Sequence, residues 1–512
     1  MDDIFVGGGG EGYGSPQKLL LRLANRHGLI AGATGTGKTI TMQVLAEGFS
    51  RAGVPVFLTD VKGDVAGMSQ PGTPRDSFAR RAATIGLGEL DYTPAPVVFW
   101  DLFGEQGHPV RATVAEMGPL LLSRILELPE AQEGVINIAF RLSDENGWPV
   151  LDLKDLQAIL AFMAENRAEL SARYGNVTTQ SVGAIQRRLL ILENQGAAQF
   201  LGEPALDIHD LMLRGRDGRG IVNILHAERL MNTPRLYATF LLWLLSQLFE
   251  DLPEVGDAAA PKLVFFFDEA HLLFSGAPKS LVEKVERVAR LIRSKGVGVY
   301  FITQNPDDVP DSVLAQLGNR VQHALRAFTA RDQQALRRAA QTYRPNPRFN
   351  TEEAIRDVGV GEAVTSFLED RGAPGIVERT LIRPPSGAMG AIDPSVRRAV
   401  IDASPLKGRY ERAIDRDSAH EMLARRAEEA AREAERQAQG AAREAEFSRA
   451  RRYEPPSRAT TPKPATTRAP ASTARRTDSP VDAFAKSFAR QIGSTTARAI
   501  SRGVLGTIFR GR

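Results

Sequence analysis

Residues 27–42 read HGLIAGATGTGKTITM. A short apolar run, Gly28 to Ala31, gives way to glycines and threonines, then to a lysine, and then to the helix-forming stretch TITMQVLAEGFS. Gly32, Ala33, Thr34, Gly35, Thr36, Gly37, Lys38 and Thr39 fit the pattern G-x-x-x-x-G-K-[ST] at every position. A loop between a buried strand and a helix N-terminus can wrap a polyphosphate with its backbone N–H groups. Glycine is required because a Cβ would hold the backbone away from the anion. Lys38 is placed to reach the β and γ phosphates, the Thr39 hydroxyl to join a Mg²⁺ shell, and Ile40 follows on the first helical turn. The stretch therefore predicts a nucleotide site holding ATP and Mg²⁺.

The surrounding chain repeats the strand-then-helix rhythm. Up to about residue 410, short apolar runs (VPVFLTD, GIVNILHA, KLVFFFDEA, VGVYFITQ, RVQHALRAF) alternate with amphipathic helical stretches. That pattern predicts an α/β fold with a mostly parallel sheet and helices on both faces. Residues 1–68 and 220–400 are assigned to the P-loop ATPase core. Residues 69–219 carry apolar positions at helical spacing, as in LKDLQAILAFMAENRAEL, and are assigned to a mainly helical insertion. Residues 410–450 are rich in Ala, Glu and Arg, with Glu428 four residues before Arg432, and read as an extended solvated helix in preference to a coiled coil. Residues 451–480 mix Pro, Thr, Ala and Arg without a core-forming pattern, which predicts a disordered linker. Residues 481–512 regain an apolar period among basic residues and read as basic amphipathic helices.

Composition narrows the chemistry. The chain has 512 residues, 43% hydrophobic and 25% charged, and no cysteine, so disulfides, thiol nucleophiles and Cys-ligated metals are excluded. Its longest apolar runs, LVFFF at 263–267 and FLLWLLSQLF at 240–249, fall far short of the roughly 20 residues of a membrane span. With acids in MDDIFVGGGG where a secretory signal would carry basic residues, a cytoplasmic location is expected. The net charge of +4 is unevenly placed: residues 451–512 hold 13 Lys and Arg against 3 Asp and Glu. The basic character belongs to the tail, where it would meet DNA, an anionic membrane surface or the protein's own assembly.

The second half of the site is KLVFFFDEAH. A buried strand delivers Asp268 and Glu269 at its C-terminal end, where open α/β sheets bind ligands. Asp268 is assigned to the Mg²⁺ shell and Glu269 to the water that attacks the γ phosphate. A phosphotransferase has less need of a water-activating carboxylate, so hydrolysis is favoured over small-molecule kinase chemistry. Gln304 ends the next strand and is assigned to sensing the γ phosphate, in preference to a capping role. Asp60 and Asp64 in FLTDVKGD either order Mg²⁺ or water, or form a turn. An arginine from a neighbouring subunit would stabilise charge on the transferring phosphate. The candidates are Arg293 first, then Arg290, Arg320 and Arg326, each of which also has a surface or packing reading. His271 is taken as an ordinary strand-end histidine, since DEAH here stands with a single P-loop.

With GATGTGKT, FLTDVKGDVAGM, FFFDEAHLLF and the block RLIRSKGVGVYFITQNPDDVPDSVLAQLGNRVQHALRAFTARD in place, the chain resembles the HerA-like branch of the HerA and FtsK ATPases, specifically the bacterial HerA-type helicase C-terminal domain group. The resemblance extends to GVGEAVTSFLEDRGAPGIVERTLIRPPSG at 358–387 and to ISRGVLGTIFRGR. It implies a RecA-like core, ATP hydrolysis between subunits of a hexameric ring, and movement of DNA through the pore. It carries P-loop roles onto Lys38 and Thr39, the acidic pair onto Asp268 and Glu269, the sensor onto Gln304, and a basic position before the sensor strand onto Arg293. Archaeal HerA proteins carry an N-terminal β-barrel; with the P-loop beginning at residue 32, no such barrel is expected, which leaves the nuclease partner and the mode of assembly open. The expected function is a ring-forming DNA translocase or helicase. The alternatives are a secretion- or conjugation-type coupling ATPase touching a membrane through its basic C-terminus, or a nucleotide-dependent scaffold with slow hydrolysis.

Overall fold

Strand β3 (Gly28–Ala31) is buried at every residue, and the P-loop springs from its end into helix α1 (Lys38–Arg51). The structure, a computed structural model, describes residues 1–256, 258–274 and 279–451. The linker expected at 451–480 and the helices expected at 481–512 lie outside the described residues, apart from Arg451.

The sheet is built outward from β3. On one side lie β9 (Val297–Thr303), β8 (Leu263–Phe267), β4 (Val56–Asp60), β7 (Val222–His226), β5 (Val97–Asp101) and β6 (His108–Pro109), in that order and all parallel. On the other side β10 (Asn319–Gln322) is parallel to β3. Beyond it β11 (Glu362–Ser366), β12 (Glu378–Ile382), β1 (Asp3–Gly9) and β2 (Ser15–Leu20) continue antiparallel. The α/β, mostly parallel expectation holds, and the antiparallel extension adds an edge to it.

Burial on both faces explains the continuous apolar runs of the central strands. Successive side chains of β8 point to opposite faces. Phe266 meets Tyr300 at 5.1 Å and Phe49 of α1 at 6.2 Å, while Phe265 and Phe267 turn to the other face, against Phe57 and Phe301. Met42, Leu45 and Phe49 thereby clamp the P-loop helix to the core. Because β3, β9, β8 and β4 run parallel and in register, their C-terminal ends deliver Gly32, Gln304, Asp268 and Asp60 to one edge.

The chain divides into two compact units, Met1–Met117 with Leu192–Ile414, and Gly118–Ile191 with the residues from Asp415 on. The helical segment that leaves the sheet unit is therefore shorter than 69–219. Val97–Asp101, four apolar residues and an aspartate set off by Pro94 and Pro96, is a sheet strand paired with β7. In the helical unit Asp155 is fully buried in the helix Leu153–Glu165 and accepts from the Ser418 hydroxyl at 2.6 Å and the His420 N–H at 2.8 Å. Lys154 bridges Asp415 at 2.7 Å and Glu421 at 3.0 Å. The long helix Ala419–Arg451 is thus anchored through Ala419 and Leu423, both buried, and becomes a solvated helix only farther along.

Candidate nucleotide site

The P-loop is folded over a buried histidine. Gly32, Gly35 and Gly37 have φ of 150°, 78° and 118°, a backbone that a side chain would strain. A Cβ on Gly32 would lie 2.5 Å from the Cβ of His323, and one on Gly37 would lie 3.3 Å from its ring. His323 follows β10 directly, with its N–H on the Ala31 carbonyl at 2.7 Å. Its Nδ1 is 2.8 Å from the Glu362 carbonyl and its Nε2 is 2.8 Å from the Thr41 hydroxyl. A carbonyl only accepts, so Nδ1 carries the proton and Nε2 accepts from Thr41. Burial pulls the pKa of the ring down to about 4, against an opposite pull from the Glu362 carbonyl, and the ring is neutral at pH 7. The outer wall of the loop is tied by the Ala33 N–H to the Ala324 carbonyl at 2.8 Å and by the Gly361 N–H to the Thr36 carbonyl at 3.1 Å.

Lys38 opens α1 and curls back over the loop, its ammonium 2.6 Å from the Gly32 carbonyl and 3.1 Å from that of Ala33. Burial, then the charge of Lys62, holds its pKa below the ordinary lysine range. The next residue, Thr39, places its hydroxyl 3.5 Å from a carboxylate oxygen of Asp64.

The acidic pair is held from behind. The Asp268 N–H donates to the Thr59 hydroxyl at 3.0 Å, and the Tyr237 hydroxyl donates to the Asp268 carbonyl at 3.0 Å. The Glu269 N–H donates to the Asp268 carboxylate at 2.9 Å, and Glu269 itself has φ of 50°, a strained backbone for a residue with a side chain. Its carboxylate is surrounded: Oε1 is 3.0 Å from the Lys62 ammonium, and Oε2 is 3.3 Å from His271 Nδ1 and 3.5 Å from the Gln304 amide. Burial, then the negative charge of Glu269, pushes Asp268 up to about 7. Burial acts upward on Glu269 as well, but the hydrogen bond and charge of Lys62 outweigh it and hold the group below the usual glutamate range. Glu269 is therefore ionised at pH 7, while burial and the negative charge of Glu269 work against ionisation of Asp268.

The structure brings Lys38, Thr39, Asp268, Glu269 and Gln304 to one sheet edge, and it separates Arg293 and Arg320 from them. Arg293 sits in the turn before β9, at the opposite end of a seven-residue strand, roughly 20 Å from Gln304. Arg320 stands in β10 and donates to the carbonyls of Leu317 and Leu314, both at 3.0 Å, which is the packing reading. Arg290 pairs with Glu286 one helical turn away, and Arg326 is exposed on the loop after β10. Asp60 takes the Asp64 N–H at 3.1 Å, a turn-forming contact, while its second oxygen is buried without a hydrogen-bond partner among the described residues. Burial, then the Asp64 charge, raises Asp60 to about 6. His271 is more than a strand-end residue, since it touches Glu269. Lys62 is the residue that sequence reasoning passed over, although it lies inside the FLTDVKGD stretch; its signal was a cation two residues past a sheet strand that ends in an acid.

The donor set suits Mg²⁺. Thr39, Asp64 and Asp268 offer hard oxygens, and no cluster of three or more His, Cys, Asp or Glu able to hold a metal by itself occurs among the described residues. A cation that keeps waters and takes phosphate oxygens is what such a sparse set accommodates.

Comparison with known proteins places this arrangement. The family model described as Helicase HerA-like C-terminal matches residues 10–512. No curated protein matches. Among solved structures, the unbound bacterial conjugative coupling protein TrwBΔN70 is 15% identical over 72% of this chain and 90% of its own, with a TM-score of 0.46. VirB4 of Thermoanaerobacter pseudethanolicus is 15% identical over 74% of this chain and 96% of its own, with a TM-score of 0.48. The plasmid coupling protein TrwB in complex with ADP and Mg²⁺ is 14% identical over 71% of this chain and 88% of its own, with a TM-score of 0.45. Since the family match takes in the P-loop, the acidic pair, Gln304 and nearly all the sequence between and around them, the chain belongs to the HerA-like helicase C-terminal family and is a P-loop ATPase of that type.

Proposed function

We propose that this protein hydrolyses ATP and, as a ring of identical subunits, uses the hydrolysis to move along DNA. The observation that carries the hydrolytic reading is the meeting of Glu269, Gln304 and Lys38 on one sheet edge, with Glu269 ionised and backed by the Asp268 and Thr59 bonds. In this reading the P-loop N–H groups and Lys38 bind the β and γ phosphates, and Glu269 orients and deprotonates the attacking water. Gln304, bonded to Glu269, is positioned to report the loss of the γ phosphate to the loop that follows β9. Thr39, Asp268 and Asp64 would hold Mg²⁺, which when bound supplies positive charge to the phosphate oxygens.

The DNA and ring parts rest on family membership, whose description names a helicase. Arg293 lies far from its own chain's acids, so a part for it in hydrolysis requires a neighbouring subunit's site, for which it is the first candidate. No described helix is long and apolar enough to cross a membrane.

The test is the ATPase rate of the full chain with and without single- and double-stranded DNA, beside Lys38→Ala and Glu269→Gln. Loss of a general base lowers kcat by about 10²–10⁴, and DNA stimulation should vanish with it. Hydrolysis that ignores DNA but rises with acidic liposomes would replace the DNA reading with membrane-linked coupling. Wild-type rates indistinguishable from Glu269→Gln would remove the hydrolytic reading altogether.

A further inference from the structure

We propose that Lys62 is a γ-phosphate-responsive latch: without a triphosphate it holds the carboxylate of Glu269, and it transfers to the γ phosphate when ATP binds, freeing Glu269 for the attacking water. The inference rests on the hydrolytic reading above and adds a residue and a control step to it.

Three observations lead there. Lys62 follows β4, whose neighbour in the sheet is β8, so the loops that end the two strands face each other across the site. Its ammonium is 3.0 Å from Glu269 Oε1, while His271 and Gln304 contact Oε2, so three of the carboxylate's roughly four lone-pair positions are engaged and the remaining one, on Oε1, shares its oxygen with the Lys62 ammonium, which weakens that oxygen as a base for water. The pair is also unequal in freedom: the Glu269 side chain is 7% exposed and the Lys62 side chain 40% exposed. The buried, backbone-strained glutamate is the fixed member, and the lysine on its flexible stem is the one able to move.

A γ phosphate changes the balance. Lys38 already lies close enough to Lys62 for their like charges to be felt, so an anion seated at Lys38 is within the field of both ammoniums. A terminal phosphate offers up to two negative charges and three acceptor oxygens where Glu269 offers one charge, and charge-assisted bonds to it are strong. ADP lacks that group and leaves the latch on Glu269. Hydrolysis competence is thereby tied to the presence of the bond to be broken. After phosphate leaves, Lys62 returns to Glu269.

The experiment is equilibrium binding of fluorescent ADP and of the slowly hydrolysed ATPγS to the full chain, with steady-state kinetics, for wild type, Lys62→Ala, Lys62→Arg and Glu269→Gln. Lys62→Ala should lower the preference for ATPγS over ADP by about tenfold, with ADP affinity unchanged, because one charge-assisted contact to the γ phosphate is lost. Its kcat should fall as well, and Lys62→Arg should restore most of the ATPγS preference. Glu269→Gln, which releases the ammonium in advance, should bind ATPγS several-fold more tightly while hydrolysing far more slowly. An ATPγS-to-ADP preference in Lys62→Ala equal to that of wild type overturns the inference, whether kcat falls, as for a residue that merely holds Glu269 in place, or rises, as for a simple inhibitory clamp. A wild-type chain that binds nucleotide but never hydrolyses it would sink the hydrolytic reading instead, and the binding ratio would still decide the fate of Lys62.

Discussion

Replacing His323 with asparagine tests the buried centre of the P-loop. The ring has no exposed surface, its pKa is lowered to about 4 by burial, and an unfolded histidine titrates near 6.5. Between those values the unfolded chain takes up a proton that the folded chain refuses. The stability contributed by the neutral ring is therefore fully present above pH 6.5 and is lost as the pH falls toward 4. At pH 5.0 the linkage amounts to about 2 kcal/mol, and at pH 7.5 it is close to zero. His323→Asn removes the titration along with the packing and the Thr41 bond. Its cost should therefore be about 2 kcal/mol smaller at pH 5.0 than at pH 7.5. Urea unfolding at the two pH values measures this, followed by the fluorescence of Trp100 and Trp243 in a Trp148→Phe background, so that the signal comes from the sheet unit alone. His27, also fully buried with a pKa near 4, keeps its own slope and serves as an internal control. A substitution cost equal at both pH values would refute the assignment of a buried ring held neutral.

Three further outcomes follow from other contacts. Asp60, raised to about 6, opposes folding above that pH and stops doing so as the pH falls toward 4, so Asp60→Asn should raise stability at pH 8 by about 1–3 kcal/mol and flatten the pH dependence in urea titrations. Glu47, buried in α1, accepts the Ser386 N–H at 2.7 Å and the Gly387 N–H at 2.9 Å; Glu47→Gln leaves one donor short of an anionic acceptor and should cost about 2–3 kcal/mol in the same assay. Gly32→Ala drives a Cβ against His323 at a φ of 150° and should weaken binding of fluorescent ATP more than tenfold, whereas Gly35→Ala meets no atom within 4 Å and bears only its φ strain, so it should weaken binding less.

What could be read beforehand was whatever lies contiguous in the chain. GATGTGKT, and the acids after LVFFF, announce themselves because an apolar run followed by polar residues marks a strand end, and parallel strand ends share an edge. Lys62 and His323 did not announce themselves. Their roles depend on β4 lying beside β8 and β10 beside β3, and strand order across a sheet leaves no local trace. The β1 and β2 hairpin was hidden for a different reason: FVGGGG has the composition of a loop, yet it is a strand through its pairing with β12 and β2, and glycine stands at 7 and 8 because a Cβ there would strike the Leu381 and Tyr13 backbone. The extent of the helical insertion was overdrawn because VVFWD is brief and set off by prolines, and its place in the sheet is fixed only by its pairing with β7.

The division of the helical unit into two distant stretches of sequence bears on how the protein is made. Residues 118–191 leave the ribosome well before Asp415, Ser418 and Leu423, which neutralise Lys154, satisfy Asp155 and cover the adjoining apolar surface. At about 5–20 residues per second, synthesis of the intervening residues 192–414 occupies on the order of 10–45 s. Throughout that interval Asp155 has no hydroxyl from Ser418, and the helices around it present an unfinished face to the cell. Ile414, the last residue of the sheet unit, is made immediately before Asp415, so the two units receive their final pieces nearly together, and residues 118–191 wait while the larger part of the sheet unit is made.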